Sequence, residues 1–128
     1  MLDTTIVSEM IRNPAGRAAQ RARATAEAVC VSVIEAAGLR YGCARKGSPK
    51  LLRRVEELLS EVPVLPFDVR ADSAYGRIRA ELEAAGRPTG SMDLLIAAHA
   101  SALVAIVVTE NVGEFRRIRG LNVENWLE

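Results

Sequence analysis

Apolar and polar positions recur at two different spacings along this chain, and the switches between them mark out its elements. Met1, Leu2 and Asp3 read as the carboxyl end of a strand rather than a whole one. Ile6, Val7, Met10 and Ile11 share a face at helical spacing over residues 6–11, and Asn13 with Pro14 ends that short helix. Residues 17–28, rich in Ala and Arg, predict an exposed helix with a solvated charged face. Residues 29–33 are β-branched and apolar, as in a buried strand. A helix is expected over residues 34–45, stopped by Gly47, and Ser48 with Pro49 opens the next as N-cap and N1. Its core stripe is Leu51, Leu52, Val55, Leu58 and Leu59.

Residues 62–67 predict a short strand interrupted by prolines, and Asp68 caps a longer helix with Ala71, Tyr75, Ile78 and Leu82 inward. After a Gly- and Pro-rich turn over residues 86–90, residues 91–101 are apolar nearly all round, the mark of a buried helix. A buried strand (105–108), a loop (109–113), a helical turn (114–118) and a last strand (121–126) complete the chain. Strands alternating with helices imply an α/β domain, a parallel sheet covered on both faces. Such sheets bind ligands beyond the carboxyl ends of their strands.

Composition narrows the function without naming it. A chain of 128 residues, 49% hydrophobic, is one domain with enough apolar material for its own core. Residues 1–126 are assigned to that domain, and Leu127 and Glu128 are a candidate cloning scar. Seventeen Lys and Arg oppose sixteen Asp and Glu. That near-balance argues against a protein that coats DNA, yet leaves nucleic acid open as a substrate. Lys46 and Lys50 are the only lysines; a codon bias explains the excess of Arg at least as well as phosphate recognition does. Cys30 and Cys43 read as reduced, mostly buried thiols, with no disulfide framework and no secretory leader. No apolar run predicts a membrane span, so a cytoplasmic location is expected.

The chemical signal lies in acids placed where a core-building sequence avoids them. Asp3 follows the only apolar residues of the first strand, Asp93 is the sole charge between Met92 and Val108, and Glu114 follows the loop after a buried strand. All three fall at the carboxyl edge of the sheet. Carboxylates gathered there repel unless a cation neutralises them, and Mg²⁺ or Mn²⁺ suits an all-oxygen site. Each acid also has an ordinary alternative: Asp3 as the cap of the first helix, Asp93 on its own helix N-terminus, and Glu114 in solvent. His99 reads as a packed histidine with one hydrogen bond, and Tyr75 and Trp126 as core or rim aromatics.

These residues sit in stretches that resemble VapC-type PIN-domain toxins along almost the whole chain. The stretches are Leu2, Asp3, Thr4; Val31 to Ile34; Leu39, Arg40, Tyr41, Gly42; the turn from Gly86 to Gly90; Met92 to Ala100; and Glu114, Phe115 with Gly120 to Trp126. The resemblance implies a three-layer α/β/α sandwich and Mg²⁺-dependent hydrolysis of RNA phosphodiesters, often in tRNA or ribosomal RNA. It implies a VapB antitoxin as partner and a homodimer. By matching position, Asp3 and Asp93 are the expected metal ligands. Glu114 is a further acid, and Thr109 and Asn111 shape the pocket. The helices over residues 6–11 and 17–28 help form the antitoxin groove, where Val7, Met10 and Ile11 are either anchors or ordinary core.

Three departures stand out. After Ser32, Val33 and Ile34 the family places an active-site Glu where this chain has Gly38, which predicts weakened nuclease activity that Gly38→Glu raises. Glu35, three residues earlier on the same helical face, is the candidate replacement; its alternative is a local hydrogen bond or solvent. Thr5 stands where the family has Asn and is expected to cap the first helix. Only two residues precede Asp3, so either the start lies upstream or the α-amino group sits beside the acids. The alternative to a nuclease is a catalytically inactive PIN domain that only binds its antitoxin; a generic α/β binding domain without metal is a third.

Overall fold

Short apolar segments lie side by side, joined by backbone hydrogen bonds. In the computed structural model, which describes residues 1–127, β1 (Val31–Ser32) pairs in parallel with β2 (Val64–Leu65), and β3 (Val107–Val108) pairs in parallel with β4 (Val123–Glu124). The N-terminal segment joins the two pairs. Leu2 donates its N–H to the Cys30 carbonyl, Val108 donates to Met1, and Asp3 donates to Val108, each at 2.9 Å. The order across the sheet is therefore β2, β1, residues 1–3, β3, β4.

Consecutive strand residues point to opposite faces, and each face carries its own core. Leu2 and Val108 belong to an apolar cluster with Ile6, Val7, Val55 and Trp126, which seats α1 (Thr4–Arg12), α2 (Arg17–Ala24) and α4 (Pro49–Glu61). Met1 and Val107 belong to a second with Ile78, Ile96, Ala100 and Phe115, which seats α5 (Arg70–Ala84), α6 (Ser91–Ala102) and the short α7 (Val112–Phe115). α3 (Val33–Lys46) touches both, through Leu39 and Cys43 on one and Ile34 on the other. This is the expected three-layer arrangement.

Local signals set the helix ends. Gly47 adopts the left-handed conformation (φ 61°) that ends α3, and the Ser48 hydroxyl accepts the Leu51 N–H at 3.2 Å to start α4. The N-cap position of α5 is Val69 rather than the expected Asp68, which accepts the Arg70 N–H at 3.0 Å from one residue further out. Several expectations need correction. The strands are shorter than their apolar runs: Val33 already begins α3, and β4 spans only Val123–Glu124. The helix expected over residues 17–28 stops at Ala24, where the Thr25 hydroxyl bonds the Arg21 carbonyl; a 3-10 turn (Ala26–Ala28) follows. Leu52 is 44% exposed, outside the stripe that buries Val55 and Leu58, because one position of helix rotates it off that face. α6 is buried over residues 96–100, but Met92 on its first turn is 40% exposed. The thiols of Cys30 and Cys43 are free. Among the described residues no helix is long and apolar enough to cross a membrane. Leu127 packs against the first core, and Glu128, in the candidate scar, lies outside the described residues.

Between α6 and β3, Val104 holds φ at +54° while 87% exposed. A β-branched side chain is strained in that region, by about 1–2 kcal/mol, and here almost no packing compensates. Val104→Gly is expected to raise stability by about 1 kcal/mol, seen as a higher urea midpoint at unchanged slope. An unchanged or lower midpoint would refute the strain.

Candidate active site

Asp3 leaves the sheet at its carboxyl edge and is only 1% exposed. Its Oδ2 accepts the Thr109 hydroxyl at 2.6 Å and the Thr5 hydroxyl at 3.3 Å. Those hydroxyls are fixed by the loop after β3. Thr109 accepts the Asn111 N–H at 2.9 Å, and Thr5 accepts the Glu110 N–H at 2.8 Å. Oδ1 of Asp3 is buried with no hydrogen-bond partner among the described residues. An orphaned carboxylate oxygen in a desolvated position is costly, and a cation is the partner its charge calls for. Asp3 stands at the N-cap position of α1, yet its side chain makes no capping bond there. Thr5 does not cap the helix either; its hydroxyl is committed to Asp3 and the loop.

Glu35 lies on the first turn of α3 and is also 1% exposed, with its Oε2 accepting the Thr4 hydroxyl at 2.6 Å. Burial pushes its carboxyl up to about 7; the Thr4 bond opposes the rise, and the charges of Asp3 and Asp93 add to it. Asp93, half-buried on the first turn of α6, makes no side-chain hydrogen bond or ion pair with the described residues. Burial, then the charges of Asp3 and Glu114, push it up to about 6. It therefore does not bond the backbone at its own helix start.

Glu114 on α7 pairs with Arg117 at 3.2 Å rather than standing free in solvent. Arg117 also donates to the Pro88 carbonyl at 3.4 Å, tying Glu114 to the turn before α6. Glu35 thus lies within the fields of Asp3 and Asp93, and Asp93 within those of Asp3 and Glu114. Among the described residues no three acidic, His or Cys side chains stand close enough to form a ready-made metal cage. Mg²⁺ does not need one: it is commonly held by one or two carboxylates, with water and substrate phosphate completing its shell. An all-oxygen set with one orphaned, buried oxygen fits such an ion.

The remaining candidates fall outside the acid site. His99 Nδ1 lies 2.7 Å from the Ser32 hydroxyl. That hydroxyl already accepts the Ile34 N–H, so its proton is free to go to His99. Burial holds His99 below its ordinary pKa, and its ring packs edge-on against Phe67. It is a packed histidine, as expected, with a second hydrogen bond, to the Pro66 backbone, beyond the one expected. Trp126 is buried under the Arg21 guanidinium, and Tyr75 is a half-buried rim residue. The α-amino group bonds the Ile106 carbonyl at 2.7 Å, at the opposite end of the segment from Asp3 and not beside the acids. Sequence reasoning gave no role to Thr4 or Arg117. Thr4 adjoins Asp3 in the chain, but nothing in its position shows that its hydroxyl reaches another helix.

Comparison with known proteins places the chain in a family. The PIN domain family model matches residues 1–121. A tRNA(fMet)-specific endonuclease VapC from Shigella flexneri is 37% identical over 127 residues, 98% of this chain and 96% of the relative. Ribonuclease VapC2 from Haemophilus influenzae is 35% identical over 128 residues, 99% and 97% of the two chains. The fold superposes on the structure of VapBC2 from Rickettsia felis bound to a promoter DNA fragment with a TM-score of 0.92 and 33% identity, covering 98% of this chain and 97% of that one.

Proposed function

The chain belongs to the PIN-domain family as a VapC-type ribonuclease toxin, and from that premise we propose that its acidic edge is the nuclease site, with Asp3 and Asp93 as ligands of Mg²⁺ or Mn²⁺. The observation that carries this is the buried, unpartnered Oδ1 of Asp3 beside a second acid, Asp93, that has no counter-ion among the described residues. A bound divalent cation supplies positive charge against the phosphate and makes water a better nucleophile. The protein's own residues do the positioning. Thr109 and Thr5 fix one oxygen of Asp3 and leave the other free, and Asn111 holds Thr109 in place. Arg117 holds Glu114 near Asp93, a further acid for the water network, and offers a guanidinium for the RNA backbone. His99 supplies no base, because its Nδ1 is engaged by Ser32 and the ring also bonds the Pro66 backbone.

The substrate class is RNA, with tRNA first and ribosomal RNA second, following the specificity named for the Shigella relative. The partner is a VapB antitoxin, following the VapBC complex. A groove lined by Met10, Ile11, Pro14, Ala19, Arg54 and Leu58 is where its tail docks. Val7 is wholly buried and is core, not an anchor. The PIN domain spans residues 1–126, forms a homodimer and works in the cytoplasm. The antitoxin-free chain incubated with total tRNA is expected to cleave it in Mg²⁺ or Mn²⁺ and to stop in EDTA. Cleavage unaffected by EDTA, or none in either metal, would refute the reading.

One observation favours the second reading, an inactive domain that only binds antitoxin. A Cβ added at Gly38 would lie 3.1 Å from the Met92 methyl, so the place of the family's acid is occupied by an apolar group. The same cleavage assay separates the two.

A further inference from the structure

We infer that the cleft between the end of α5 and the turn after α7 holds a single-stranded stretch of RNA beside the acids, with Arg87 and Arg119 on its phosphates. The inference rests on the nuclease reading above and names the residues that grip the substrate next to that site.

The whole chain is almost neutral, with seventeen basic side chains against sixteen acidic ones, but this cleft is not. It encloses about 620 Å³, and its charged lining is Arg87, Arg117 and Arg119 against the single carboxylate of Glu81. Clefts of about 300–1,000 Å³ are the usual size of ligand sites. Arg117 is already committed to Glu114 at 3.2 Å and to the Pro88 carbonyl at 3.4 Å. The other two guanidiniums are available. Arg119 meets Glu81 at 3.6 Å, longer than a hydrogen bond, with its side chain 87% exposed, and Glu81 is shared with Arg77 at 3.7 Å. An exposed pair of that length contributes little. Arg87 is exposed on the turn before α6 and has no side-chain partner among the described residues. A guanidinium fork matches a phosphate group with two parallel hydrogen bonds.

The floor between these arginines is apolar: Leu82 and Ile118 are 5% and 4% exposed. An apolar floor under a basic rim suits an unstacked nucleotide, with its base on the floor and its phosphate on the rim. A duplex keeps its bases stacked inside and would leave that floor uncovered. Position favours RNA over an acidic peptide. Arg117 forms part of the cleft wall, and its guanidinium holds Glu114, so a strand lying along the acids continues past Arg117 into the cleft. The groove assigned above to the antitoxin tail lies on the other side of the sheet, against α1, α2 and α4.

The test compares the parent, Arg87→Ala with Arg119→Ala, and Arg53→Ala, which removes one exposed charge from α4 on the opposite layer. Binding of tRNA to the antitoxin-free chain is measured in EDTA over a range of NaCl concentrations, and tRNA cleavage in Mg²⁺. Each phosphate contact on a single strand adds about 0.7 to the slope of log affinity against log salt, or about fivefold in affinity at 0.1 M salt. The double variant is therefore expected to bind roughly 25-fold more weakly, with a slope shallower by about 1.4. Its KM should rise in step while kcat stays near the parent's, and Arg53→Ala should change neither slope nor KM. A double variant that binds with parent-like affinity and slope, while the parent cleaves, overturns the inference and leaves the nuclease reading intact. So does an equal loss in Arg53→Ala, which reports overall charge, or a double variant that keeps tRNA but loses the VapB antitoxin, which gives the cleft to the protein partner. A parent that neither binds nor cleaves tRNA removes both readings. Should the double variant misfold, Arg87→Gln carries the test alone: it gives up no bond within the chain, and a slope unchanged from the parent's overturns the inference.

Discussion

Asp3→Asn lowers RNA cleavage about a thousandfold. Losing the cation removes charge stabilisation worth several kcal/mol in the transition state, and about 4 kcal/mol corresponds to three powers of ten in rate. The fold is expected to survive. The amide oxygen can accept the Thr109 hydroxyl that Oδ2 accepts now, and the amide nitrogen replaces an oxygen that had no partner. Metal-free stability should therefore be unchanged or higher in the variant, because a buried charge has gone. Initial cleavage rates at saturating Mg²⁺, with melting curves in EDTA, check both halves. A variant that folds and cleaves within about tenfold of the parent would remove Asp3 from the metal site.

In EDTA the parent loses stability as pH rises from about 4 to about 7, and Mn²⁺ restores it at the alkaline end. Glu35 moves from 4.5 to about 7 and Asp93 from 3.8 to about 6 when the chain folds. Both are raised, so between those limits the folded chain holds more protons than the unfolded one, and raising the pH favours unfolding. Below the unfolded values both states are protonated, and above the folded values both are ionised, so stability is flat outside the window. A tenfold difference in proton affinity between the two states corresponds to about 1.4 kcal/mol. Glu35 alone sets a scale of about 3 kcal/mol, and Asp93, half open to solvent, adds less. His99 works the other way: its pKa is lowered, so acid below its ordinary 6.5 favours the unfolded state. The net fall in melting temperature between pH 5.5 and 8 is expected to be roughly 10 °C, recovered by excess Mn²⁺ through binding to the folded state. A melting temperature that rises with pH in EDTA would contradict this account of the acids.

How far the sequence alone reached depends on what each residue's neighbours in the chain can reveal. Asp93 stood out as an acid in an otherwise uncharged stretch, and Asp3 because it directly follows buried apolar residues. The helices were legible from spacing, and Gly47, Ser48 and Pro49 marked one boundary closely. Strand ends were not, because apolarity reports burial while a strand ends where its ladder ends; Val29 is buried yet outside β1. The bonds of the site were hidden for a related reason. Thr109 is distant in sequence from Asp3, and Thr4 from Glu35, and only the packing of the loop and of α3 onto the N-terminal segment brings them together. Glu114 was a candidate from its place after a buried strand, but its ion pair with Arg117 was not legible. Glu35 was visible as an acid near a missing one, but its burial depends on tertiary contacts that helical periodicity does not report.

The most direct measurement is an anomalous difference map from crystals of the antitoxin-free chain soaked in Mn²⁺. The account predicts a peak within coordination distance of Asp3 Oδ1 and the Asp93 carboxylate. A peak bound by other residues, or none there at Mn²⁺ concentrations that support cleavage, would contradict it.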